Sequence, residues 1–132
     1  MKPKLLLTLS SIVIALLGLL GLILPATTSY GFVVNMPDYF NATARIPFSL
    51  FFGLAIINWF ARNAEASKAL DAILLGNTVG YILWAVMVAI TVLTPGAQPL
   101  GWIPVVIYLL FAIAFFMVGR ANMSTSASPT SH

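Results

Sequence analysis

Long apolar segments without charge constrain this chain more than any other feature of its sequence. No charged residue occurs from position 72 to position 119, and none separates Leu5 from Asp38. Hydrophobic residues make up 61% of the chain and charged residues only 7%, whereas soluble domains carry about 25% charged residues. So few charges cannot cover the surface of a soluble fold. Lipid must therefore solvate most of this surface, and the chain is predicted to be an integral membrane protein.

Four of these segments are long enough to cross a bilayer, which requires roughly 20 apolar residues of helix. Backbone groups in lipid need internal partners, and no segment alternates as a strand would, so each segment is predicted to be an α-helix. The predicted fold is an all-α, polytopic four-transmembrane-helix bundle that forms a single domain over residues 1–120. A polar, disordered tail is predicted at 121–132. The predicted helices cover about residues 5–24, 44–62, 68–93 and 102–119.

The joint between the second and third helices, "RNAEASKALD" (62–71), carries signals for a helix start. Asn63 and Ser67 both have side chains that cap helix N-termini, and Asp71 would complement the helix dipole in the first turn. These signals predict that the third helix begins just after one of the two caps.

The positive residues predict how the chain is oriented, because loops rich in Lys and Arg stay on the cytoplasmic side. Only Arg45 falls on one face of a four-span bundle, together with Asp38. Both termini are therefore predicted to be cytoplasmic, in the cell (inner or plasma) membrane. The other five Lys and Arg residues share the opposite face: Lys2, Lys4, Arg62, Lys68 and Arg120.

The first helix has an alternative interpretation as a secretory signal, because "MKPK" precedes an apolar stretch that ends in "LPATTSYG". Its apolar core is longer than is usual for such signals, and no clean A-x-A cleavage site follows. Cleavage would leave three spans without changing the orientation of the others, and the two interpretations stay open.

The spans offer few groups that carry chemistry. The chain has no cysteine, and its only histidine is the terminal His132, so ligands for haem, a metal ion or a Ser-His-Asp arrangement are missing. No buried acid or histidine is present to load a coupling proton. The net charge of +3 is spread over chain ends and loops rather than clustered for nucleic-acid binding. We therefore predict a protein that is not an enzyme and has no cofactor, metal site or nucleic-acid partner.

A small polar and aromatic set remains inside the second and third helices. Asn77, Tyr81 and Trp84 follow an i, i+4, i+7 spacing and therefore share one stripe of the third helix. Asn58, at a similar depth in the second helix, would meet Asn77 if these helices form a hairpin. One interpretation is a polar-aromatic pocket for a small solute or lipid headgroup. The other is an interhelical Asn–Asn hydrogen bond beside a close glycine contact.

Glycines on three helices would allow close approach of helix backbones. Gly76 and Gly80 form a small-xxx-small face within "GNTVG", while Gly18, Gly21 and Gly53 lie in the first and second helices without that strict spacing. We expect such glycines to pack inside the bundle, with self-association as the alternative.

Two aromatic residues, Trp84 and Tyr108, fall in the middle of predicted spans rather than in the interfacial belts. A buried Tyr or Trp needs a partner for its O–H or N–H. These two side chains are therefore expected to face other helices or a bound molecule.

Arg45 opens the second helix in "NATARIPF" (41–48), and three interpretations of it compete. Its stem would snorkel toward the outer headgroups, or it would form an ion pair with Asp38, or it would guard a cavity mouth and attract an anionic group. The full set of candidate binding residues is Arg45, Asn58, Asn77, Tyr81 and Trp84.

Four short sequence elements mark the second half of the chain. They are "AR" opening the second helix, "WFAR" (59–62) closing it, "LLGNTVGY" (74–81) in the third, and "LGW" (100–102) opening the fourth. With Gly53, these elements make residues 44–120 resemble a family of small, uncharacterised prokaryotic four-helix integral membrane proteins. The resemblance implies the four-helix topology and no known activity.

The leading functional prediction is a non-enzymatic structural or accessory membrane protein whose faces pack against itself or a larger complex. The alternative is a small-solute or lipid-binding channel or carrier, with a polar-aromatic path between the second and third helices. A third option is a membrane enzyme subunit whose partner supplies the chemistry. The predicted partners are the lipid bilayer and either further copies of the chain or a larger membrane complex.

Overall fold

The computed structural model describes residues 2–23, 46–95 and 99–126, and within these ranges the chain is all-α. The predicted fold class is therefore confirmed. A short 3₁₀ turn at Pro99–Gly101 leads directly into the last helix. The α-helices within these ranges are α1 (Pro3–Ile23), α2 (Ile46–Ala61), α3 (Lys68–Val92) and α4 (Trp102–Ser126).

The start of α3 follows from its cap. Ser67 precedes the helix in extended conformation, and its hydroxyl accepts a hydrogen bond from the backbone N–H of Leu70 at 3.3 Å. Asp71 lies in the first turn, where a negative charge complements the helix dipole. Of the two candidate caps, the chain therefore uses Ser67, while Asn63 lies in the preceding turn.

The last helix is longer than the sequence predicts. It was expected to end near residue 119, but α4 continues to Ser126, six residues into the predicted disordered tail. Asn122 is buried there and donates a hydrogen bond of 2.6 Å to the carboxylate of Asp71 at the start of α3. The two residues are 51 positions apart along the chain, and their hydrogen bond joins the end of α4 to the start of α3. Residues 127–132 lie outside the described part of the chain.

The four helices share one core, but they do not pack equally closely. The backbones of α1 and α2 lie against each other, as do those of α3 and α4, whereas α2–α3 and α1–α4 are joined by fewer close approaches. The described helices therefore form two closely packed antiparallel pairs, α1–α2 and α3–α4, which lie side by side and are called here the two hairpins. The common core receives residues from every helix, among them Leu7, Ile14, Phe51, Leu74, Tyr81 and Phe115.

Glycine explains the close packing of α1 on α2. A Cβ atom built on Gly21 would overlap the ring of Phe48, and one built on Gly18 would lie 3.1 Å from the backbone oxygen of Phe48. Only a residue without a side chain fits at such a contact. The expectation that Gly18 and Gly21 pack inside the bundle is confirmed.

The outer surface has the character that lipid requires. Leu16, Leu83 and Leu110 are each more than half exposed on the outer faces of their helices. Three helices, α1, α3 and the last helix with its preceding turn, are long and apolar enough to cross a membrane. With 16 residues and a length of about 24 Å, α2 is shorter than they are.

Candidate functional site

The structure brings four of the five predicted site residues together between the two hairpins. Asn58 projects from α2, while Asn77, Tyr81 and Trp84 share the inner face of α3. Arg45, and with it the possible Asp38–Arg45 ion pair, lies outside the described residues.

The two asparagines form a reciprocal amide pair. The amide N–H of Asn58 donates to the side-chain oxygen of Asn77 at 2.8 Å, and Asn77 donates back to Asn58 at the same distance. Both side chains are buried, with 0% and 1% exposure. The predicted contact between Asn58 and Asn77 is therefore confirmed, and it joins α2 to α3, two helices with few close backbone approaches.

Hydrogen bonds extend from this pair to a third helix. The amide of Asn58 also donates to the hydroxyl of Ser10 on α1 at 2.9 Å, and that hydroxyl is 2.8 Å from the Tyr81 hydroxyl. Asn77 uses its other N–H to donate to the backbone oxygen of Ile73 at 2.9 Å. Each amide has two N–H donors, and all four are used. The four side chains Ser10, Asn58, Asn77 and Tyr81 are called the polar network below.

Sequence reasoning missed the contribution of α1. Ser10 belongs to the polar network, and its neighbour Ser11 donates a hydrogen bond of 2.7 Å to the backbone oxygen of Ala55 on α2. The available signal was the serine pair in "LTLSSIV", since polar side chains inside an apolar span commonly bond across to another helix.

An aromatic cluster fixes the Tyr81 ring on the side of α4. Its ring stacks on Phe111 and Phe115, with ring centroids 5.1 and 5.7 Å away and interplanar angles of 17°. Trp84 meets Tyr81 edge-on at 5.6 Å and packs on Phe51 of α2 at 4.3 Å. Tyr81 therefore has its hydroxyl bonded to α1 and its ring packed on α4.

Trp84 and Tyr108 were expected to face other helices or a bound molecule. Their ring centroids lie 5.8 Å apart across the α3–α4 contact, and Tyr108 is only 6% exposed. Both rings therefore face other helices.

The chemistry open to this region is limited by its own contacts. Throughout the described ranges, every buried side-chain nitrogen and oxygen has a hydrogen-bond partner. Across residues 2–23, 46–95 and 99–126, no three His, Cys, Asp or Glu side chains come together as metal ligands would. The polar network consists of amides and hydroxyls, which can bond helices or a polar ligand, and its four amide N–H donors are already engaged.

The glycines of α3 do not make the close contact that was expected beside the asparagine pair. A Cβ atom built on Gly76 or on Gly80 would meet nothing within 4 Å, and the same holds for Gly53 on α2. The reason is geometric: successive helical residues point about 100° apart, so Asn77 faces the core while Gly76 is turned away. The prediction of a close glycine contact inside the bundle is wrong at these three positions.

Comparison with known proteins does not assign the chain to a family. The chain matches no protein-family model, no curated protein and no solved structure. Its resemblance to small four-helix prokaryotic membrane proteins therefore stays a prediction.

Proposed function

We propose that this protein is a non-enzymatic integral membrane protein that serves as a structural or accessory subunit, either self-associating or within a larger complex. The observation that carries the proposal is that the polar network is bonded internally, with all four of its amide N–H donors in use. Its side chains bond to one another and tie α1, α2 and α3 together. Polar groups used in this way stabilise a bundle rather than present chemistry to a substrate.

The energy of this network suits a structural role. Hydrogen bonds between membrane helices contribute about 0.6 kcal/mol each on average. Leaving one buried polar partner unsatisfied costs more, about 1–3 kcal/mol. Four interhelical bonds in the polar network therefore favour a single arrangement of the two hairpins. A bundle held in one arrangement presents fixed outer faces to its neighbours in the bilayer.

The second candidate, a small-solute or lipid-binding channel or carrier, keeps one supporting observation. Asn58, Asn77, Tyr81 and Trp84 do lie together between α2 and α3, as a polar-aromatic path would need. A solute entering there would have to replace both amide–amide bonds and the bond from Asn58 to Ser10. This requirement favours the structural proposal.

The outer face of α3 is where association is best supported. Gly76 and Gly80 form a G-x-x-x-G spacing, and open space surrounds both in the single chain. Small residues at this spacing let a second transmembrane helix approach closely. In our proposal, a helix of another copy or of a partner subunit packs against this face.

Native mass spectrometry of the protein, extracted gently from its own membrane, tests this function. The proposal predicts a homo-oligomer or a stoichiometric complex with a partner protein. A monomer that retains one discrete small molecule, lost on Asn77→Ala substitution without loss of the folded state, would instead establish the binding or transport function. A monomer without protein partner or ligand would contradict both.

We further propose four membrane crossings with both chain termini in the cytoplasm. The short α2 completes the second crossing in this topology, and the connection between α2 and α3 lies on the cytoplasmic side. The chain has no native cysteine, so single cysteines report topology cleanly. We expect Leu100→Cys to react with a membrane-impermeant maleimide in spheroplasts. Glu65→Cys should react only after permeabilisation, and the reverse pattern would contradict the orientation.

A further inference from the structure

The end of the bundle where α1 and α3 begin carries an open depression of about 450 Å³, called here the basic depression. Three of its lining residues are cations, two are asparagines, and within the described part of the chain none is an acid. Such a surface is complementary to an anion. The lining residues are Lys2, Pro3, Lys4, Arg62, Asn63, Ala64, Ala66, Leu70 and Asn122.

The start of α1 lacks the negative charge that a helix N-terminus favours. Lys2 and Lys4 flank its first residue, Pro3, and its first turn holds no acidic residue. Cations at this position oppose the helix dipole, whereas an anion there is stabilised. At the same end of the bundle, α3 has both the Ser67 cap and Asp71 in its first turn. The two helix starts therefore differ, and only that of α1 lacks its own anionic or capping side chain.

Arg62 is held in place at the edge of the depression. Its guanidinium carbon lies 3.4 Å from the ring centroid of Trp59, and one N–H donates to the Trp59 backbone oxygen at 3.0 Å. The guanidinium has five N–H donors, and the others form no hydrogen bond within the described residues. Its planar fork, fixed by stacking, matches the geometry of phosphate oxygens.

Neighbouring acids do not cancel this charge inside the depression. Asp71 accepts the hydrogen bond from Asn122 and does not line the cavity. Glu65 is exposed on the connection between α2 and α3 and does not line it either. The three cations therefore line the depression without an acid among its described lining residues.

We propose that the basic depression binds a phosphate group, supplied by the headgroup of an anionic phospholipid. The lipid source follows from the residues beside Arg62. Trp59 and Phe60 are 42% and 78% exposed at this end of α2, and exposed aromatic residues mark the level of the lipid headgroups. Basic pockets at that level between transmembrane helices are suited to anionic headgroups.

The test is native mass spectrometry of the full chain in detergent, with equimolar phosphatidylglycerol and phosphatidylcholine of identical tails. We expect the wild type to retain phosphatidylglycerol preferentially, and Lys2→Gln/Lys4→Gln to lower that preference by roughly tenfold. The matched control is Lys68→Gln/Arg120→Gln, which removes two charges from the same end but from residues that do not line the depression. The control should keep the wild-type preference.

A second pair of variants guards against misfolding of the lysine variant, whose N-terminal charge also affects membrane insertion. Arg62→Gln should lower the preference while Arg120→Gln leaves it unchanged, with helicity by circular dichroism equal in both. Equal losses in test and control variants, or a wild type that retains both lipids equally, would overturn the proposal. Thermal stabilisation by inorganic phosphate with none by phosphatidylglycerol would overturn the lipid source.

Discussion

Two pairs of glycines in this molecule differ both in their spacing and in the contacts that they make. Gly18 and Gly21 of α1 lie against Phe48, where a Cβ atom on Gly21 would overlap the ring and one on Gly18 would press on the backbone oxygen. A Cβ atom built on Gly76 or Gly80 of α3 would instead meet open space. The strict G-x-x-x-G spacing belongs to the open pair, and the irregular spacing belongs to the filled one. Spacing alone therefore does not reveal whether the partner of a glycine face lies within the chain.

The largest loss of stability is expected at Gly21, where a larger side chain would overlap the ring of Phe48. Gly21→Val should destabilise the folded state by about 3 kcal/mol, at the upper end for overpacked cores, because the added carbons meet the Phe48 ring. Thermal unfolding in detergent measures this loss. Gly53→Val makes the same change in open space and should leave the midpoint nearly unchanged. Equal effects of the two variants would remove the distinction between filled and open glycines.

The next effect concerns the residue beside the open pair. Asn77 faces inward one position after Gly76, and Asn77→Ala should cost about 2 kcal/mol because it leaves the Asn58 amide buried without its partner. Adding Asn58→Ala to that variant should cost less than Asn58→Ala alone, since the two side chains bond each other. Unfolding midpoints of the three variants measure this coupling. Strict additivity would show that the pair does not hold α2 to α3.

These positions also show how far sequence reasoning reaches. The helices were predictable because apolar length and the need for internal hydrogen bonds leave little choice. Ser67 was one of two candidate caps, and it is the one that directly precedes the apolar helix α3. The contact between Asn58 and Asn77 was predictable because two polar residues at equal depth in adjacent helices have few other partners.

What sequence could not supply was the tertiary partner of a small or weakly polar residue. Ser10 and Ser11 of α1 were missed, since a serine can satisfy its hydroxyl within its own helix, as Thr8 does with the Lys4 carbonyl. The helix continues to Ser126, and within this extension Asn122 bonds to Asp71 of α3. The direction of Gly76 depends on which side of α3 meets the other hairpin. Each of these outcomes is set by residues distant in the chain.

A smaller loss of stability should distinguish a hydroxyl that bonds between two helices from one that bonds within its own helix. Ser11→Ala removes the hydrogen bond to the Ala55 carbonyl across the glycine-packed α1–α2 contact. It should cost about 0.6 kcal/mol, the average for such bonds in membranes. Thr8→Val is the control, because it removes a hydroxyl whose bond stays inside α1 and keeps the size of the side chain. A loss in the control equal to that of Ser11→Ala would place the effect in α1 itself rather than in its contact with α2.

The smallest effect on the stability of the single chain is expected at the open pair, and it carries the most information about function. Gly76→Leu/Gly80→Leu should leave the unfolding midpoint of the monomer unchanged or raised, because leucine favours helix over glycine and the added atoms meet nothing in the chain. The same variant should lose the oligomer or partner complex seen by native mass spectrometry, because the added side chains keep a second helix from approaching. Ile82→Phe adds bulk to an exposed position about 160° from Gly80 and about 120° from Gly76 on the same helix and should preserve the complex. If the glycine variant still forms the assembly, association does not use this face of α3. The open glycines would then contact lipid alone.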